Sequence, residues 1–322
     1  HYTRYGSSSN SLSHTSILSL HKDMQGNIWV GTYYGGVNVF NPDKNNHSFY
    51  CAEPLREDCL SFPVVGKMTE DSAGNVWICT EGGGLNCYHG DTGVFSRYMY
   101  HKGDQGTLGS NNVKSVFYRK ENNRLYAGTH LGGLFVLDLK SNKGHTLHHV
   151  IGDPASLPHE IVNDIQEYKD GIAMLTQGGP VFFDPVTEKF SPLTDDPSVQ
   201  KLISREYAFE TFLIDSRQRM WLAVGGGGIV CVNLSSSKVT QYLADSEKDT
   251  LTVGRYKTVH IFEDNKGDIY FSTIGAGIFK YQEKQDTFKS YGTTNGVLPS
   301  NYCYYICESC LLYTSPSPRD TR

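Results

Sequence analysis

The chain alternates apolar and polar residues in short runs, separated by glycine-rich breaks. Residues 71–86 show the unit: Asp71-Ser72-Ala73-Gly74-Asn75, then Val76-Trp77-Ile78-Cys79-Thr80, then Glu81-Gly82-Gly83-Gly84 before Leu85-Asn86. Val76, Ile78 and Thr80 alternate with Trp77 and Cys79, which is the period of a strand. Asp71 can bond back to its own backbone and Gly74 can supply a positive φ, so a tight hairpin turn precedes the strand. The three glycines predict a second turn and Leu85 the next strand.

The same pattern recurs. Its tightest copy is residues 23–38, and looser ones run from Leu125, Gly171, Asp215 and Asp264. The aligned positions Trp29, Trp77, Tyr126, Ala173, Trp221 and Tyr270 are spaced by 48, 49, 47, 48 and 49 residues. So regular a period over most of the chain marks a repeat architecture. Each copy holds four strand-like pieces; in the first they are residues 17–22, 27–32, 37–41 and 48–50. Four antiparallel strands per unit, too small to bury both faces alone, predict the blades of a β-propeller, with the second-strand aromatic packed between neighbouring sheets.

The ends of the chain refine this. Residues 1–5 resemble the fourth strand of a blade, as in Phe95-Ser96-Arg97-Tyr98, and residues 298–307 match the first strand of a seventh copy. The expectation is an all-β, seven-bladed propeller over residues 1–307, with six complete blades and a split or truncated seventh, in a fragment of a longer protein. The repeat stops at Glu308. Residues 308–322 resemble a translated sequencing-adapter tail and are read as non-native, the alternative being a disordered linker.

Composition then narrows the function. The 33 glycines and 12% aromatics suit many short strands and turns, and a net charge of −5 with no basic run argues against nucleic-acid binding by this segment. No apolar run reaches the roughly 18 residues needed to cross a bilayer. Eight cysteines leave the compartment open. Cys51 and Cys59 flank a loop and could pair, whereas Cys79, Cys87 and Cys231 take strand positions suited to small hydrophobes.

Several motifs reduce to the repeat. Asp91-Thr92-Gly93 resembles an aspartic-protease tripeptide but fills a hairpin position and has no second copy. His14 and His159 sit just before a first strand, where no long helix could make either a phospho-acceptor. The glycine run 225–228 lacks the Lys-Ser/Thr and the helix of a phosphate loop. Cys303 and Cys307 would lie roughly 13 Å apart on one strand, too far for a shared cluster, and Cys310 is in the suspect tail. His145, His148 and His149 read as an exposed patch rather than a zinc site. No cofactor or metal is expected.

The phrase Leu-Ser, Asp-x-x-Gly-x-Ile-Trp-x-Gly-Thr, Gly-Gly-Leu-Asn is similar to the two-component regulator propeller repeat. Residues 12–38 and 60–86 carry it closely; copies three to six carry it loosely, and the fourth lacks the tryptophan. The resemblance implies the periplasmic sensor region of a hybrid two-component histidine kinase, a homodimer anchored in the inner membrane and detecting oligosaccharides. It implies control of transcription through phosphorelay by modules absent from this sequence. This segment is then a binding module rather than an enzyme.

In a propeller the turns between second and third strands share a rim with the loops leading into each first strand. Those turns carry Tyr33, Tyr34, Glu81, His130 and Gln177; the lead-in loops carry His14, Asn112, His159, Arg205, Glu206, Arg255, Tyr256 and Asn301. Aromatic faces and polar groups around one mouth are what sugar recognition needs. The rival is a propeller lyase or glycoside hydrolase, for which only Glu81, Glu206 and His159 are candidates. A protein-interaction scaffold is the third alternative.

Overall fold

The structure is a computed structural model that describes residues 11–41, 44, 46–53, 56–244, 253–294 and 296–307. The expected leading strand at residues 1–5 and the tail 308–322 lie outside the described residues.

Among them, six four-stranded antiparallel sheets follow one another along the chain, each with its strands in sequence order. The first comprises Ile17–Lys22, Ile28–Thr32, Val37–Asn41 and Asn46–Tyr50. The sixth comprises Lys257–Glu263, Ile269–Ile274, Gly277–Gln282 and Thr287–Tyr291. First strands of consecutive sheets pack side by side from blade 1 to blade 6, which makes the sheets blades around an axis.

The repeated residues explain the repeated shape. The turn aspartate takes its own hairpin's amides and also the second-strand indole N–H: Trp29 Nε1 donates to Asp23 at 2.8 Å, Trp77 to Asp71 at 2.8 Å and Trp221 to Asp215 at 2.9 Å. A buried indole N–H needs such a partner, so the Asp-to-Trp spacing is fixed by one hydrogen bond. At the other end of the sheet the Thr32, Thr80, Thr129, Thr176 and Thr273 hydroxyls each donate to a glycine carbonyl across the second turn, at 2.7–2.9 Å. The glycine at 36, 84, 133 and 277 has positive φ, and a Cβ there would run into a fourth-strand carbonyl oxygen.

In blades 1 and 2 the Leu-Ser and final Asn of the repeat meet. Ser13 N–H donates to Asn38 Oδ1 at 3.0 Å and Asn38 Nδ2 donates to Ser13 Oγ at 2.7 Å; Ser61 and Asn86 repeat both bonds at 2.9 and 2.8 Å. Blades are also tied to their successors: Gly36 N–H donates to Pro63 O, Gly82 and Gly84 to Asn111 O, and Gly133 to Glu160 O.

Six blades form among the described residues, not the seven expected. Residues 298–303 do begin like a seventh lead-in. Gly275 and Gly277 donate to Asn301 O, and Asn301 Oδ1 takes Thr293 N–H at 2.8 Å as Asn111 Oδ1 takes Tyr100 N–H at 2.7 Å. Tyr302 then makes one isolated bridge to Ile274, and residues 303–307 form no strand with any of the described residues. The first strands of blades 6 and 1 make no contact comparable to the other neighbours. Ile28 and Tyr270, on the faces of blades 1 and 6 turned away from their described neighbours, stay partly exposed, whereas their counterparts Val76, Leu125, Trp77 and Trp221 are buried.

A short helix, Pro197–Lys201, and a π-helical turn, Leu202–Glu206, lead into blade 5 and were not anticipated by the repeat. Asp196 caps the helix by accepting from Ser198 and Val199 amides. Val199 and Ile203 are buried among Phe209, Phe212 and Leu222, so the insertion extends the core between blades 4 and 5, where Ala173 stands in place of an aromatic.

Candidate functional site

All six first strands carry a register shift near their start, after the first pair in blades 1 to 5 and after the second in blade 6. A bulge re-aims side chains. Here it accompanies a polar inner ring that sequence reading did not single out. Lys67 pairs with Asp164 across the axis, and Thr211 Oγ1 donates to Asp164 Oδ2 at 2.8 Å. His260 stacks on Tyr305 with ring centroids 3.8 Å apart. These residues line an axial cavity of about 250 Å³. Burial, with Lys67 adding to it and Asp164 opposing it, pushes His260 down to about 3. The signal was present: polar residues recur mid-strand in pieces otherwise rich in apolar positions.

The rim residues named from sequence divide into groups. Tyr33 and Tyr34 meet edge to face at 4.4 Å, exposed by 41% and 62%. Tyr34 sits at φ 68°, a strained position for a bulky side chain. Its phenol raises the pKa of Tyr33, with Glu81 across the blade boundary a smaller contributor. Glu81 forms an isolated bridge with Asn112, whose carbonyl also accepts the His130 N–H at 2.9 Å. Turns of three successive blades thus converge.

His14 and His159 play matched local parts, each Nδ1 accepting the amide two residues on at 3.0 Å. Tyr256 packs on Phe279 within the core between blades 5 and 6. Gln177 and Arg255 are exposed on other blades, and Arg205 falls in the π-helical turn. Among the described residues no hydrogen bond or ring contact joins Gln177 or Arg255 to the Tyr33 cluster. The same holds between Glu81, Glu206 and His159.

Beside Glu81 the rim opens into a cavity of about 620 Å³ lined by Phe62, Gly82, Gly83, Arg97 and Met99. Arg97 reaches it from a fourth strand while donating to the Cys59 and Arg56 carbonyls at 3.1 and 2.5 Å. Arg97 escaped sequence reading because it lies in a fourth strand; Phe62 lies in a lead-in loop, at the position His14 takes in blade 1, and could have been found there. Cys51 and Cys59 are free thiols, and burial pushes Cys87 and Cys231 up to about 12. His145 and His148 each contact a glutamate, Glu188 at 2.9 Å and Glu160 at 3.1 Å. Among the described residues no three potential ligands gather to hold a metal, and no helix is long and apolar enough to cross a membrane.

The fold defines the chain as a β-propeller. Residues 11–34 match the family model described as two component regulator propeller. Among solved structures, the chain is similar to the extracellular domain described as that of hybrid two component system BT3049 of B. thetaiotaomicron. The identity is 24% and the TM-score 0.67, over 86% of this chain and 35% of that one. The corresponding domain of BT4673 from the same organism gives 20%, 0.67, 88% and 37%. PorZ, a surface component of the type-IX secretion system of Porphyromonas gingivalis, gives 14%, 0.65, 91% and 44%. The chain therefore spans between a third and a half of each of these structures. No protein with a curated description matches it.

Proposed function

We propose that this propeller is the extracytoplasmic, ligand-sensing part of a hybrid two-component sensor histidine kinase and response regulator. The observation that carries this reading is the match of residues 11–34 to the regulator propeller repeat, together with the architecture it shares with extracellular domains of such systems. On this reading the parent protein is a homodimer anchored in the inner membrane, and the propeller lies in the periplasm. Its ligand is an oligosaccharide, held at the rim where Tyr33, Tyr34, Glu81 and the neighbouring cavity offer ring faces, a carboxylate and depth. His14, Asn112, His130, His159, Gln177, Arg205, Arg255 and Tyr256 complete the proposed rim set.

Sensing requires that the ligand favour one arrangement of the dimer over another, because it can shift the equilibrium only by its differential affinity. Phosphorelay and transcriptional control then belong to downstream modules. We also propose that a seventh blade closes the ring. The part-exposed Ile28 and Tyr270, and the blade-like lead-in around Asn301, support it.

Calorimetry of the chain against a panel of oligosaccharides tests the rim. Tyr34→Ala and Arg255→Ala are expected to weaken binding of whichever glycan binds, and unchanged affinity in both rejects the rim as its site. Glycan turnover during the same incubations would favour the enzyme reading instead.

A further inference from the structure

The faces between blades 1 and 2 and between blades 5 and 6 are built on the same four rings. Trp29, Tyr50, Tyr88 and Phe95 occupy the positions of Trp221, Tyr242, Tyr281 and Phe288. Trp29 and Tyr50 lie 6.1 Å apart at 11°, and Trp221 and Tyr242 lie 6.3 Å apart at 17°. Trp29 meets Tyr88 at 5.0 Å and 64°; Trp221 meets Tyr281 at 4.9 Å and 63°.

Between blades 5 and 6 this cage holds an arginine of the chain itself. Arg219 Nε donates to Asp215 at 2.7 Å, and its guanidinium carbon stands 5.1 Å from the Trp221 ring and 5.5 Å from the Tyr281 ring. Its Nη1 lies 3.5 Å from Glu283. Blades 3 and 4 repeat the device in part: Arg124, two residues before Tyr126 as Arg219 is before Trp221, reaches Glu188 at 3.3 Å. Between blades 1 and 2 the same position is Asn27. Its amide takes over the bond to Asp23 at 2.7 Å, but the side chain ends there. Beyond it is a cavity of about 430 Å³ lined by Trp29, Tyr50, Tyr88, Asn41, Asp23 and Asp91, among others, with no positive charge among the described lining residues. Blades 2 and 3 also carry the asparagine, at Asn75, yet Leu137 replaces the ring of Tyr88.

We infer that the crevice between blades 1 and 2 is a binding site for a guanidinium group supplied from outside the chain, set between Trp29 and Tyr88 as Arg219 is set between Trp221 and Tyr281. Trp29 is 2% exposed, so the guanidinium reaches its ring as the Asn27 side chain swings aside; it then gains the faces of two rings, and the carboxylate of Asp91 can accept from its edge. The site opens at the hairpin ends of the first two strands, the rim opposite Tyr33 and Tyr34. It is therefore independent of the glycan site proposed above.

Titrating the full chain with agmatine, L-arginine and acetyl-Gly-Arg-Gly-amide, followed by calorimetry and tryptophan fluorescence, tests this, with citrulline as the neutral isostere. Citrulline is expected to bind about tenfold more weakly than agmatine or not at all. Agmatine and arginine binding without the peptide would identify a small molecule as the source; peptide binding alone would identify an arginine side chain of a protein partner. Asn27→Arg fills the cage from within and is expected to abolish binding. Asp91→Asn, at an exposed position, is expected to weaken it about two- to fivefold. Equal binding of citrulline, no binding by any guanidinium compound, or unchanged affinity in Asn27→Arg overturns the inference. If Asn27→Arg does not fold, Asp91→Asn and Tyr88→Leu decide, and unchanged affinity in both overturns it.

Discussion

The interfaces between blades 5 and 6 and between blades 1 and 2 begin from one cage of rings and diverge in what surrounds it, above all at Arg219 against Asn27. The first interface is completed internally: Arg219 is clamped by Asp215 and stacked on Trp221 and Tyr281, while Asp286 accepts from both Tyr242 at 2.5 Å and Tyr281 at 2.8 Å. In the second, the Tyr50 hydroxyl donates to that of Tyr88 at 3.0 Å beside an open cavity. The difference teaches that a repeat can hold its rings constant while one side chain decides whether the space between blades is filled.

The largest expected effect comes from removing the central ring. Trp221→Ala should cost about 3–5 kcal/mol by denaturant unfolding, because the side chain is fully buried and carries Arg219 on its face. Trp29→Ala should cost somewhat less, since Trp29 is as buried but carries no cation on its ring. Next, Asp215→Ala strands both a buried indole N–H and the part-buried Arg219 and should cost about 3 kcal/mol. Asp23→Ala leaves only neutral donors and should cost about 1–2 kcal/mol.

A pH titration separates either interface from the axis. His260 faces Lys67, Asp164 and Tyr305, and its folded pKa of about 3 lies below the usual 6.5. The unfolded chain then binds a proton the folded one refuses, so the stability it contributes is whole above pH 6.5 and is lost as pH falls toward 3. Tm should fall across that window, and His260→Gln should flatten the profile while leaving the Trp29 and Trp221 comparison unchanged. The smallest effect is a gain: Asn27→Arg should stabilise by about 0.5–1 kcal/mol if its guanidinium stacks as Arg219 does.

Much of the fold was legible in the sequence because it rests on short-range bonds. Asp23 to Trp29, Asp71 to Trp77 and Thr80 to Gly84 are six or fewer residues apart; the first kind of bond returns in three blades and the second in five, so the period shows them directly. What was not legible depends on partners a blade away. Tyr50 meets Tyr88 across 38 residues, and Lys67 meets Asp164 across the axis. The helix at Pro197–Lys201 departs from the repeat, and its place becomes clear only once Val199 and Ile203 are seen beside Phe212. The rim was legible as a set of turns, but not that Tyr256 would spend its ring on Phe279 while Tyr33 and Tyr34 stay exposed.

The amides of Gly36, Gly84 and Gly133 belong to one blade but are bonded to the carbonyls of the next. Their exchange with deuterated solvent is therefore controlled by attachment between blades and not by melting within a sheet. Three backbone protons can time the undocking of three successive joints separately, in the intact chain and without a label.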